Sequence, residues 1–472
     1  MSFKTSSGIV NGEYGKWEYN RKNNTSYFVP MGKAATIEAI TDDIETGAVT
    51  LTLSFDFMGR KKYIQTSHKI LSDPTLLNEL SDVGVDIPKT TFSIFVDTLR
   101  LQELDMELNG IAADRVYSKL GWKTCRTAAG TKLCYRADTM IGDSGRYIGN
   151  LKVKPMGTFA AWKNLIAQDV LGHIPLEIAL LAGLSAVVNG LISTTTTGEN
   201  PLIHIMGISG SGKSTAGLLC ASVSGEPFDG ERRIYDQHGI PSSQVSVYGS
   251  WAATENATIA RCAGNRGCVV VLNELGKFKG NDLSTLVYNL SEGTDKLRMT
   301  KELKTKLSEG YSTTIVSIGE HSLLGRCASK ADGLRSRVLE IDQPMTSSAE
   351  QADRIKSVCR KNNGHAAPML AEYIINNGGI KNVLTIYDEC YKKLLEIWPD
   401  TPSRERFVSK FPALLLTTAI LAEAALGISF SQQELIDFFY STNPIVVSLE
   451  ILQHQAIPSL SSIATPMSIS LS

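Results

Sequence analysis

The chain has 472 residues, enough for two or three domains with cores of their own, and its 47 Lys and Arg against 48 Asp and Glu leave a net charge of −1. That balance excludes a globally basic nucleic-acid coat or membrane-surface binder, so any contact with a polyanion must be a local patch. The eight cysteines are scattered, with no C-x-x-C pair and no histidine at zinc spacing, which fits reduced core residues of a cytoplasmic protein.

Residues 1–29 are polar and mixed and are expected to form a flexible arm; Met1 to Tyr14 lacks the features of a secretory signal. Residues 30–155 read as an α+β domain. Thr36 to Ile40, Val49 to Phe55 and Lys62 to Gln65 alternate as strands, with turns at Glu45-Thr46-Gly47 and Met58-Gly59-Arg60, the pattern of a β-meander. Helical segments follow, one with Asp73 as N-cap and Pro74 at its first position and one from Thr90 to Leu108. A further small β segment is expected to run to about Asn150. His68 has no evident partner in this pattern, and the domain carries no catalytic constellation of its own.

Residues 156–345 change to the alternation of an α/β core. The apolar run Ile174 to Ile192 is broken by Pro175, Glu177 and Asn189 and lacks an aromatic belt or basic flank, so it reads as a buried helix and no membrane partner is expected. Leu202 to Met206 reads as a strand, and Gly207 to Thr215 then matches G-x-x-x-x-G-K-[ST] in full before the apolar helix Ala216 to Ala221. In that loop Gly207, Ser209, Gly210, Ser211 and Gly212 let backbone N–H groups turn inward on phosphate oxygens at a helix N-terminus. Lys213 reaches the β- and γ-phosphates of ATP, and Ser214, followed by Thr215, holds Mg²⁺. The other half of such a site is Cys268 to Glu274, four apolar residues in a row ending in two polar ones. Glu274 is the candidate base for the attacking water, and Asn273, standing where Asp is usual, touches Mg²⁺ through water without adding charge.

A third strand, Tyr311 to Glu320, ends in polar residues able to sense a γ-phosphate. Before it lies the basic stretch Asp295 to Leu307, whose near-alternation suits a β-hairpin. Lys296, Arg298, Lys301, Lys304 and Lys306 there could pair with a DNA phosphate backbone, or form a solvated hairpin. Arg335 and Arg337 stand at the entrance of another short strand. Residues 346–472 read as a helical lid and tail, with helices at Pro368 to Asn376, Lys381 to Trp398 and Pro412 to Leu426. Arg404 and Arg406 precede the last helix, and Ile457 to Ser472 reads as a ragged end.

Several motifs together resemble the helicase-like family described as domain of unknown function 927, found in prophages, plasmids and cassette chromosomes and similar to MCM-type AAA+ helicases. Beyond the phosphate loop these are Ser250 to Ala257, Asn273-Glu274-Leu275-Gly276, Tyr288 to Arg298, Ser317-Ile318-Gly319-Glu320, the turn Asn363-Gly364-His365-Ala366 and the Gly-Trp signature at Leu120-Gly121-Trp122. The resemblance implies a P-loop NTPase (AAA+) core with a parallel sheet, a hexameric ring and ATP-driven movement along single- or double-stranded DNA. Within it Arg337 matches the arginine finger, Arg406 the lid arginine at the nucleotide, and 296–307 the pore hairpin. Asn273 and Asp295 depart from the family pattern. Little room remains for a C-terminal winged helix, and a primase or initiator is expected as a separate protein.

The sequence thus points to an ATPase acting as the DNA helicase of a mobile element. The alternative is a nucleotide-switched AAA+ loader or remodelling protein with weak hydrolysis. A small-molecule kinase is more distant, because no acceptor pocket is evident.

Overall fold

The computed structural model describes residues 7–442 apart from 86, 128–129, 196–198, 229, 236–240, 281, 294–297, 300–304, 307–309, 328–331 and 402–403. The chain divides into two units. The first comprises Met1–Ser118, Ser144–Asn150 and Arg232–Ser243, and the second comprises the remaining three segments.

The first unit opens where the sequence suggests a flexible arm, and here the structure corrects the reading. Strands β1 (Ser7–Val10), β2 (Glu13–Asn20) and β3 (Thr25–Lys33) form an antiparallel sheet. The physical reason is Tyr14. Its ring is fully buried, meets Phe95 edge-on at 5.3 Å between centroids, and its hydroxyl lies 2.7 Å from Thr91 Oγ1. One deeply buried aromatic anchors a stretch whose composition is otherwise polar.

The expected meander follows as β4 (Thr36–Asp43), β5 (Val49–Phe57) and β6 (Arg60–Ser67), paired antiparallel in sequence. Inward residues Ile37, Leu51, Leu53 and Phe55 pack with Leu80 of α1 (Leu77–Asp82) and with Phe95 and Leu99 of α2 (Phe92–Leu108). Strand β7 (Asp114–Tyr117) joins β4 in parallel. His68 does have a partner: its Nε2 lies 2.9 Å from Glu103 Oε1 at the surface of this unit.

The boundary expected at 155 is also corrected. Hairpin β8 (Gly121–Thr127) and β9 (Gly130–Arg136), extended by β10 (Met140–Ile141), belongs to the second unit, and only β11 (Arg146–Tyr147) returns to pair with β7. Trp122 explains this. It is 1 % exposed, its backbone N–H donates to Arg266 O (2.7 Å) and its indole N–H donates to Val187 O (2.7 Å). Tyr135 on the facing strand donates its hydroxyl to Gly267 O at 2.9 Å.

In the second unit, α3 (Phe159–Leu165) leads to α4 (Ile174–Ile192), whose residues are buried almost without exception, as expected of a core helix. It is one of two helices, with 404–426, long and apolar enough to cross a membrane among the described residues, and it is 94 % buried in the fold. Gly183 lets α4 approach α5 (Lys213–Ser222) closely, since a Cβ there would lie 2.6 Å from Cys220 O.

The central sheet is entirely parallel. Strands β12 (Leu202–Ile205), β15 (Tyr248–Ser250), β16 (Val270–Asn273), β19 (Ile315–Ile318) and β20 (Val338–Ile341) lie in the order β15-β16-β19-β12-β20. A small pair, β13 (Glu231–Tyr235) and β14 (Pro241–Val245), precedes β15 in the chain, and its residues 232–243 belong to the first unit. Helices α6 (Glu255–Cys262) and α7 (Leu283–Glu292) flank the sheet, and the pair β17 (Arg298–Met299) and β18 (Thr305–Lys306) follows α7. Short helices α8 (Leu323–Arg326) and α9 (Asp332–Arg335) precede β20.

The helical region contains α10 (Ala349–Lys361), α11 (Ala366–Asn376), α12 (Gly379–Ile397), α13 (Arg404–Val408), α14 (Leu414–Leu426) and α15 (Gln432–Thr442). Arg404 and Arg406 do not precede the last apolar helix but lie inside it. Pro412, which reads as a helix start, sits in a π-helical turn, Ser409–Ala413, that joins α13 to α14. Proline cannot donate the usual helical hydrogen bond, and a widened turn accommodates the missing donor. The tail 443–472 lies outside the described residues.

Gly121 sits at φ +85°, and a Cβ there would fall 1.8 Å from Arg266 O. Gly121→Ala is therefore expected to lower stability by about 2 kcal/mol or more. Gly110→Ala, also at positive φ but facing open space, should cost only about 1 kcal/mol. Chemical denaturation of the two variants checks the difference.

Candidate functional site

The loop between β12 and α5 carries the sequence motif, and its backbone needs the glycines. Gly207, Gly210 and Gly212 have φ of +144°, +86° and +83°. At Gly212 a Cβ would also meet Thr346 Oγ1 at 2.4 Å, whereas at Gly210 it would point into open space. Lys213 opens α5 with little exposure. Its ammonium donates to Ile208 O at 2.6 Å and lies 3.5 Å from Ser211 Oγ, and burial lowers its pKa.

Ser209, Gly210, Gly212, Lys213, Ser214 and Thr215 line one wall of a cleft of ≈ 690 Å³. Asn273 and Glu274 line it from the end of β16, as do Glu320 and His321 beyond β19. The sheet register brings these ends level: Ile205 pairs with Ile318, and Leu272 with Ser317. Parallel sheets collect ligand groups at this carboxyl edge. Glu274 is in the left-handed region at φ +61°, unusual for a non-glycine, and its carboxylate pairs with Lys277. Gly207 and Ser211 shape the loop without lining the cleft.

Residues that the sequence reading missed support this edge from below. His204 of β12 is fully buried, with Nδ1 2.9 Å from Ser317 Oγ and Nε2 2.9 Å from His321 O. The Trp251 indole donates to the same Ser317 oxygen at 3.0 Å. Ser317 has one proton, so it accepts from Trp251 and donates to Nδ1, which leaves the His204 proton on Nε2 facing the His321 carbonyl. Burial lowers the His204 pKa and keeps the ring neutral. Arg326, also missed, lines the cleft and donates to Leu275 O at 2.6 Å. A histidine in an apolar strand gives no local signal of such a bridge.

Arg337 and Arg406 are absent from the cleft lining and gather instead around Glu199. Arg337 is 10 % exposed in its side chain, lies 2.8 Å from Glu199 Oε1 and 3.6 Å from Glu292 Oε1, and stands over the Tyr288 ring at 4.9 Å. Lys410, from the π-helical turn, pairs with Glu199 Oε2, and Arg406 Nε is 3.9 Å from the same oxygen. Burial raises the Glu199 pKa, but Lys410, Arg337 and Arg406 more than offset it and hold the carboxyl low. Burial brings Lys410 down to about 8.

Of the candidate DNA contacts, Lys296, Lys301 and Lys304 lie outside the described residues. Arg298 and Lys306 are opposed in the antiparallel pair β17 and β18; the residues between the two strands, 300–304, lie outside the described residues.

Residues 9–309 match the family described as "Domain of unknown function (DUF927)". The chain belongs to this family. No curated protein matches it. Among solved structures, this DUF927 chain is similar to one titled "SCCmec type IV Cch - active helicase", at 23 % identity and a TM-score of 0.71, covering 95 % of this chain and 79 % of that one. At that identity the likeness establishes the fold, a mixed α/β architecture with a parallel sheet.

Because His204 has a folded pKa below its ordinary 6.5, the unfolded state takes up the proton first. The stabilisation is complete above pH 6.5 and is lost as pH falls from there through the folded pKa. His204→Gln should flatten that acid-side slope relative to wild type, as measured by denaturant midpoints across the same pH series.

Proposed function

We propose that this DUF927 chain is a Mg²⁺-dependent ATPase with an AAA+ core, working in a ring as a DNA helicase or translocase of a mobile genetic element. One observation carries the reading: Lys213 and Ser214 share a cleft with Asn273 and Glu274, while Arg337 and Arg406 are held elsewhere in the same subunit. A helicase title on a structure of the same fold supports the substrate class.

The residues fit a nucleotide with Mg²⁺. The open space at Gly210 and the inward-turned loop suit a triphosphate, for which Lys213 would exchange its contacts with Ile208 and Ser211. Ser214 and Asn273 offer the oxygen ligands that Mg²⁺ prefers. When bound, the ion supplies neutralisation of phosphate charge. Glu274 takes the proton of the attacking water once its pairing with Lys277 opens. Arg337 and Arg406 would serve the cleft of a neighbouring subunit, which makes the ring the catalytic unit. The β17–β18 hairpin would grip DNA through Lys296, Arg298, Lys301, Lys304 and Lys306.

Asn273 favours a second reading, a nucleotide-switched loader or remodelling protein with weak hydrolysis. Asn273→Asp should raise turnover in a switch and change little in a competent motor.

Lys213→Ala is expected to abolish ATP hydrolysis. Glu274→Gln should retain nucleotide binding and lower kcat by about 10²–10⁴-fold. Single-stranded DNA should stimulate the wild-type rate, and joint substitution of Lys301, Lys304 and Lys306 should remove the stimulation. Absence of ATP hydrolysis, or a rate indifferent to DNA and to those lysines, would overturn the helicase reading. Mixing Lys213→Ala with Arg337→Ala subunits tests the ring: action between subunits predicts recovered activity in the mixture that neither variant shows alone.

A further inference from the structure

All eight cysteines are reduced and buried. Two differ from the rest in their company. Cys125 on β8 and Cys134 on β9 point to the same face of the hairpin on a diagonal, since Cys125 pairs with Lys132 and Lys123 with Cys134. After β10 folds back on β9, the chain brings Asp143 to the same place. The two Sγ atoms and a carboxylate oxygen of Asp143 all lie within 4.8 Å of one another. Asp143 pairs with Lys132 on its exposed side and meets the two buried thiols on the other.

We propose that Cys125, Cys134 and Asp143 form a structural site for a thiophilic divalent cation, zinc foremost. Zinc holds sulfur and oxygen ligands at about 2.0–2.3 Å, which puts tetrahedral neighbours roughly 3.5–3.8 Å apart, and the cluster needs only a small contraction to reach that. The fourth position falls to water, because Asp143 keeps 17 % of its side chain exposed. Lys132, now 3.5 Å from Asp143 and 42 % exposed, swings into solvent as the stronger cation takes its carboxylate. Binding turns both thiols into thiolates and releases two protons to water.

The location gives the ion a purpose. The same hairpin carries Trp122 and Tyr135, whose hydrogen bonds reach Val187 and Gly267. A cation binding two strands and the following turn fixes the hairpin that plugs into the α4 side of the core. The step of nine positions from each ligand to the next belongs to no short sequence motif, so only the fold shows the cluster.

The test uses the full chain, reduced and stripped with chelator, titrated with Co²⁺ and then Zn²⁺. Expected are thiolate-to-cobalt charge transfer and tetrahedral d–d bands saturating at about one ion per chain, displaced by Zn²⁺. The nucleotide cleft offers no sulfur ligand, so Co²⁺ bound there gives no such band. Asp143→Asn should keep the charge transfer and weaken Co²⁺ binding by about 10-fold or more, and Zn²⁺ should raise the wild-type unfolding midpoint more than that of the variant. Cys125→Ser and Cys134→Ser should each lose about half or more of the charge-transfer intensity, and the wild-type spectrum stands as evidence should either fail to fold. No charge-transfer band in wild type, a band undiminished in both serine variants, or a Cys125–Cys134 disulfide in chain that takes up no metal after reduction would overturn the site.

Discussion

Everything at the cleft depends on the register of β12 between its two parallel neighbours. Ile205 is level with Ile318 on one side and Ile341 on the other, and Ser317 is level with Leu272 of β16. A slip of one residue would turn Ser317 away from His204 and Trp251 and shift Glu274 relative to Lys213. The hydroxyl of Ser317, satisfied from both sides, ties three elements together at the level where the strands end. A buried polar bridge of this kind specifies one alignment among apolar strands that could otherwise pack in several.

Where short-range pattern and chemistry coincide, the sequence is legible. The phosphate loop, the meander and the buried α4 all follow from residues adjacent in the chain. Residues 7–33 escape such a reading because one aromatic, Tyr14, carries the anchoring and its partner Phe95 lies far along the chain. The placement of the Gly-Trp hairpin with the second unit depends on bonds to residues 187 and 266. Local alternation says only that these are strands. Arg337 and Arg406 were recognisable as arginines of interest, but the carboxylate that gathers them, Glu199, bears no motif.

That carboxylate faces an imbalance. Arg337 and Lys410 are both largely buried and Arg406 adds a third positive charge, while among the described residues Glu199 and the more distant Glu292 are the carboxylates paired with them. Buried cations without full compensation are unfavourable.

Gly121 and Gly190 come from different elements and converge on the same peptide, that of Arg266. Bracketing that peptide, Asn265 closes on Cys268 through hydrogen bonds in both directions, and the chain runs into β16. The approach to the strand that ends in Asn273, just before Glu274, is thus set by close glycine contacts together with these uncharged hydrogen bonds. A methyl group added at Gly121 or Gly190 would press on the Arg266 peptide, at the entrance to the strand whose other end carries Asn273.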